Sequence, residues 1–75
     1  MKELIEFIAK SLVDDPSEVR VAERAERGGV RLELTVAEED MGRVIGRGGK
    51  VANAMRALLR VAAARKGSRA TLDIL

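Results

Sequence analysis

The chain contains no cysteine and no histidine. Without thiols it cannot form disulfides or thiolate zinc sites, and without imidazole it lacks the commonest metal ligand and general base. The sequence therefore predicts no catalytic residue, no metal site and no cofactor, and we do not expect an enzyme.

Aromatic residues and long apolar runs are also scarce. Phe7 is the only aromatic residue, so bases cannot stack on an aromatic platform, and we expect Phe7 itself to be a core or partner contact. No apolar stretch approaches the roughly 20 residues that span a bilayer. Acidic residues interrupt the apolar positions at the start of the chain, unlike in a signal peptide. We expect a cytoplasmic protein that does not contact membranes.

Seventy-five residues are enough for one small domain, residues 1–75. Hydrophobic periodicity and turn signals predict the element order αββααβ. The expected elements are a helix at 2–13, strands at 19–26 and 30–36, a short helix ending at Gly46, a helix at 50–65 and a strand at 70–74.

Charge is divided unevenly along the chain. Residues 1–40 contain 6 Lys/Arg and 11 Asp/Glu, whereas residues 41–75 contain 8 Lys/Arg and a single acid, Asp73. One explanation is chance segregation of charged surface positions. The other, which we favour, is that the second half forms a basic face for a polyanion.

The run Gly46-Arg47-Gly48-Gly49-Lys50 lies within this basic half and joins the short helix to the long one. Glycine at 46 can adopt a positive φ and end the first helix. Gly48 and Gly49 have no side chain, so a sugar-phosphate strand can approach the backbone there. The N–H groups at the start of the next helix have no helical partner and favour the binding of an anion.

Cations surround this run. Arg47 lies at its tip, Lys50 lies just inside the next helix, and Arg43 precedes Arg47 by one helical turn. A glycine-rich corner with solvated cations is the alternative explanation. A nucleotide-dependent enzyme is disfavoured, because the glycine spacing differs from that of a P-loop and no Ser or Thr follows Lys50.

The helix at 50–65 has a polar stripe and an unusually wide apolar arc. The polar stripe includes Asn53, Arg56 and Arg60, and apolar side chains cover most of the remaining circumference. One sheet needs an apolar stripe of only about 100°. The excess is explained either by the first helix, which we favour slightly, or by a second chain in a homodimer.

The run from Gly42 to Lys50 resembles the signature of K-homology (KH) RNA-binding domains, with Gly46–Gly49 as the GXXG loop. The αββααβ order resembles type II KH domains, and the length resembles the small stand-alone bacterial KhpA-like family over essentially the whole chain. This resemblance implies an α+β domain with a three-stranded sheet and helices packed on one face.

The resemblance also implies a function. KH domains clamp about four nucleotides of single-stranded RNA between the GXXG loop and a hydrophobic groove. Here the groove is expected between the helix at 50–65 and the strand at 30–36. The implied RNA-binding residues are Arg43, Gly46, Arg47, Gly48, Gly49, Lys50 and Asn53, with Asn53 at a base edge.

The resemblance further implies a post-transcriptional regulator or RNA chaperone that forms a homodimer, or a heterodimer with a larger KhpB/Jag-like KH protein. Weak and broad RNA binding is expected, because four nucleotides specify little sequence. The alternative function is a protein-interaction scaffold for which RNA binding is incidental.

Overall fold

The structure, a computed structural model, describes all residues from 1 to 75. Its helices and strands follow in the order α1 (Lys2–Leu12), β1 (Arg20–Glu26), β2 (Gly29–Thr35), α2 (Met41–Ile45), α3 (Lys50–Arg65) and β3 (Arg69–Ile74). Short 3-10 turns at Pro16–Glu18, Glu38–Asp40 and Arg47–Gly49 precede β1, α2 and α3. The predicted αββααβ order is confirmed.

The three strands form one sheet in the order β1-β2-β3. β1 and β2 are antiparallel neighbours joined by a tight turn, whereas β2 and β3 are parallel, with Leu32 opposite Leu72. A parallel pair cannot be joined by a hairpin and needs a crossover connection, which α2 and α3 provide. The GXXG segment lies within this crossover.

The helices cover one face of the sheet. Alternate residues of β2 and β3, including Leu32, Leu34 and Leu72, point towards this face and are buried. They pack with apolar side chains from the helices in a cluster that includes Ile5, Ala9, Val44, Met55 and Leu59. The predicted α+β arrangement with helices on one face is therefore confirmed.

The other face of the sheet is solvated and carries ion pairs. Arg24 Nε donates a hydrogen bond to Glu33 Oε1 at 2.6 Å, which raises the pKa of Arg24 above its ordinary value. Arg31 lies 3.9 Å from Asp73. Arg24 and Arg31, which belong to the first half of the chain, therefore already pair with carboxylates.

Two expectations about apolar side chains need correction. Phe7 is 72% exposed, so it is not a core residue, and its role as a partner contact stays a prediction. Leu58 and Val61 on α3 are 52% and 56% exposed, so α1 does not cover the excess apolar surface of α3. The reason is that α1 packs mainly on β1 and inserts Ile5 and Ala9 into the core beside the sheet.

None of the helices combines the length and the apolarity that crossing a membrane requires.

Candidate nucleic-acid interface

The candidate interface begins where α2 ends at Gly46. The Gly46 N–H donates to Gly42 O at 2.9 Å, and the residue then turns out of the helix with φ 74° and ψ 169°. A Cβ at this position would lie 2.5 Å from Val51 Cγ2 and 2.9 Å from Val51 N. Glycine is therefore required here both by the backbone angle and by the close approach of α3.

Two of the four loop amides are free of helical hydrogen bonds. The Gly46 N–H is bonded to α2, and the Gly49 N–H donates to Gly46 O at 3.1 Å. No helical hydrogen bond takes up the N–H groups of Arg47 and Gly48, and both residues are exposed. Arg47 and Gly48 therefore provide the two main-chain N–H groups of the loop that no backbone carbonyl accepts.

The first amide of α3 is also occupied, because the Lys50 N–H donates to Arg47 O. Sequence reasoning expected this group to be free. The space above the loop is nevertheless open. A Cβ on Gly48 would have no atom within 4 Å, and a Cβ on Gly49 would meet only Asn53 Nδ2, at 3.7 Å. Another backbone can therefore approach this side of the loop closely.

The predicted cations differ in their partners. Arg47 and Lys50 are exposed and take part in none of the ion pairs of the structure. Arg43 Nη2, in contrast, donates to Asp14 Oδ2 at 3.1 Å, and its Nε lies 3.6 Å from Asp40 Oδ1. Arg47 and Lys50 are available for an anion, whereas Arg43 is held by two carboxylates.

Asp40 is a structural residue that sequence reasoning missed. It is 2% exposed and is the only buried charged residue. Its two carboxylate oxygens accept the N–H groups of Asp14 and Asp15, each at 3.1 Å. Asp40 thereby connects the beginning of α2 to the segment after α1. In the sequence it is merely the last of three consecutive acids, which gives no signal of this role.

The strand beside α3 is β3, and the expectation that residues 30–36 form the groove wall is wrong. β2 is the central strand, so it has β1 on one side and β3 on the other. Arg56 Nε on α3 donates to Leu72 O on β3 at 3.2 Å. The strand that can flank a nucleotide bound along α3 is therefore β3.

Arg56 also orients Asn53. Arg56 Nη1 donates to Asn53 Oδ1 at 3.3 Å, which leaves Asn53 Nδ2 on the side of Gly49. The structure thus brings Asn53 next to the loop residues Gly46–Gly49 and Lys50. An amide N–H at this position can donate to an acceptor on a base edge.

A cavity of about 300 Å³ lies between the last turns of α3 and the beginning of β3. We call it the distal pocket, and its lining residues are Arg60, Ala63, Ala64, Ser68, Arg69, Ala70 and Thr71. Sequence reasoning missed it because its residues come from two different elements that meet only in the fold.

Comparison with known proteins agrees with this architecture. The family model described as KhpA/KhpB, KH domain, matches residues 2–74. The chain is similar to proteins named RNA-binding protein KhpA. One from Clostridium acetobutylicum is 48% identical over 100% of both chains, and one from Halalkalibacterium halodurans is 44% identical over 100% of this chain and 99% of the relative.

A third relative of the same name, from Borreliella burgdorferi, is 47% identical over 97% of this chain and 89% of its own length. No solved structure matches the chain at a significant level.

Proposed function

Because the chain belongs to the KhpA/KhpB family of KH-domain proteins, we propose that it binds single-stranded RNA as a post-transcriptional regulator or RNA chaperone. About four nucleotides occupy the loop Gly46–Gly49 and the adjoining groove between α3 and β3. The observation that carries this proposal is an exposed loop with two unbonded main-chain amides and two unpaired cations.

In this proposal the RNA backbone lies against the open side of the loop. The N–H groups of Arg47 and Gly48 donate to phosphate oxygens, as amides at the start of a helix commonly do. The side chains of Arg47 and Lys50 add charge-assisted contacts. Gly49 admits the strand closely because a Cβ would restrict that approach.

Base recognition is weak in this arrangement. Asn53 Nδ2 can donate to a base edge, but the groove offers no aromatic ring on which a base could stack. Aliphatic contacts and a single amide give little discrimination among bases. We therefore propose broad, low-affinity binding by one copy of the domain.

Arg43 has a different role in our proposal. Its guanidinium would have to leave Asp14 and Asp40 before it could bind a phosphate, and the buried Asp40 carboxylate would then lose its only cation. We therefore assign Arg43 to positioning α2, and through α2 the loop, rather than to direct contact with RNA.

The test is the double substitution Arg47→Asp with Gly48→Asp. Gly48 has φ 63° and ψ 18°, a left-handed conformation that Asp tolerates better than most residues, and the space around it is open. The variant should still unfold cooperatively, with a stability lower by about 1 kcal/mol because of the positive φ at position 48. It should bind a short single-stranded RNA at least about tenfold more weakly, because two carboxylates would face phosphates.

The matched control is Arg47→Asn with Gly48→Asn, which has nearly the same shape and no negative charge. It should bind between wild type and the aspartate variant, since it loses one cation but adds no repulsion. A folded aspartate variant with wild-type affinity would show that the loop is not the RNA site.

A second candidate function rests on the exposed apolar stripe of α3, formed by Ala54, Leu58 and Val61. Such a stripe suits a protein partner, either a second copy of the chain or a larger KhpB/Jag-like KH protein. If partner binding is the main role, it should survive the aspartate substitutions in the loop.

A further inference from the structure

We propose that the distal pocket binds an additional nucleotide of the same RNA strand, beyond the four held at the loop. This inference rests on the proposed RNA-binding function and extends its footprint along α3. The bound group is a nucleotide unit of single-stranded RNA. Its phosphate lies between Arg60 and Arg69, and its ribose or base packs against the alanine side chains that line the pocket.

The size and lining of the pocket fit such a unit. Its volume of about 300 Å³ lies at the lower end of the range for small-molecule sites. Ala63, Ala64 and Ala70 contribute the apolar part of its lining, and Ser68 and Thr71 contribute hydroxyl groups. Alanines provide apolar contact for a sugar or base, and hydroxyls can hydrogen-bond their polar edges.

The charge of the pocket favours an anion. Arg60 and Arg69 are exposed and take part in none of the ion pairs of the structure, and no carboxylate lines the pocket. A second cavity of about 300 Å³, near the β1–β2 turn, differs because Glu26 lines it. Two unpaired guanidinium groups suit a phosphate, which accepts paired N–H donors from arginine.

The position of the pocket favours the strand already bound at the loop. Lys50 and Arg60 lie on the same side of α3, about 15 Å apart along the helix axis. Arg56 lies between them in the sequence and bridges α3 to β3, and none of the residues 46–50 lines the distal pocket. A strand that leaves the loop along this side must pass over Arg56 to reach Arg60.

The experiment compares a 4-nucleotide and a 12-nucleotide single-stranded RNA with wild type and with Arg60→Gln/Arg69→Gln. The substitutions keep the side-chain stems and remove the two charges. We expect unchanged affinity for the 4-mer and about tenfold weaker binding of the 12-mer. The salt slope for the 12-mer should become shallower by about 0.7, the value for one phosphate on a single strand.

Two further variants separate the pocket from net charge. Arg20→Gln/Arg24→Gln removes the same charge from β1, at the opposite edge of the sheet, and should change the affinity for the 12-mer much less. Ala64→Leu fills the pocket at an exposed helix position without a change of charge, and should weaken binding of the 12-mer only.

The outcomes are distinguishable. If wild type binds neither RNA, the proposed function itself fails. If wild type binds both RNAs and Arg60→Gln/Arg69→Gln binds the 12-mer as wild type does, the loop site stands and the distal pocket is overturned. An equal loss of affinity for the 12-mer in Arg20→Gln/Arg24→Gln would also overturn the proposal, because it would show that binding depends on net charge and not on the distal pocket.

Discussion

The Nη2 atom of Arg43 lies 3.1 Å from Oδ2 of Asp14, and this ion pair connects α2 to the segment that follows α1. Asp40 reinforces the connection, because it accepts the backbone N–H groups of Asp14 and Asp15 while it lies 3.6 Å from Arg43 Nε. The five-residue helix before the GXXG loop is thus held at its beginning by residues distant in sequence.

Replacement of Arg43 should therefore affect stability more than RNA binding. Arg43→Ala should lower the free energy of unfolding by about 1 kcal/mol, because a half-exposed ion pair is lost and Asp40 loses its cation. The slope of log affinity against log salt should stay unchanged. Urea denaturation and RNA titrations at several salt concentrations measure the two quantities.

The control is Arg47→Ala, which should behave in the opposite way. Arg47 is exposed and unpaired, so its removal should change stability by less than about 0.5 kcal/mol. It should make the salt slope shallower by about 0.7, as expected for one phosphate contact on a single strand. A slope that becomes shallower for Arg43→Ala instead would mean that Arg43 binds phosphate directly.

Replacement of a loop glycine by alanine should lower the stability of the domain by different amounts at positions 46 and 48. Gly46→Ala combines a positive φ with a clash against Val51, and we expect it to cost at least about 2 kcal/mol of stability. Gly48→Ala has only the backbone cost, about 1 kcal/mol, because no atom lies within 4 Å of the added Cβ. Thermal or urea unfolding of the two variants checks this, and equal losses would contradict the structural difference between them.

Local features of the fold were predictable from the sequence because their causes are local. Strict alternation at 30–36 predicted β2, and the buried residues Leu32 and Leu34 of β2, with Val36 directly after it, follow that alternation. Gly46 was predicted to end α2 with a positive φ, and it does so at 74°. Periodicity and backbone conformation need only neighbouring residues.

The features that could not be predicted depend on residues far apart in the chain. Glu38, Glu39 and Asp40 look equivalent in the sequence, yet only Asp40 is buried. The pattern does not distinguish it, because its hydrogen-bond partners Asp14 and Asp15 lie 25 or more positions away. For the same reason the sequence did not reveal that β3 is the strand beside α3, or that Arg60 and Arg69 meet at one cavity.

The apolar stripe of α3 should mediate association between copies of the chain. Leu58 is 52% exposed and Val61 is 56% exposed, so burial of both against a second copy would remove apolar surface from water. We expect wild type to sediment as a dimer at high micromolar concentration and Leu58→Glu to sediment as a monomer, because association would bury an unpaired carboxylate. Phe7→Glu is the matched control, since Phe7 is 72% exposed but belongs to α1 and not to the stripe on α3; if the stripe alone mediates association, this variant should still form the dimer. Wild type that remains strictly monomeric would mean that the stripe serves a different protein partner or none.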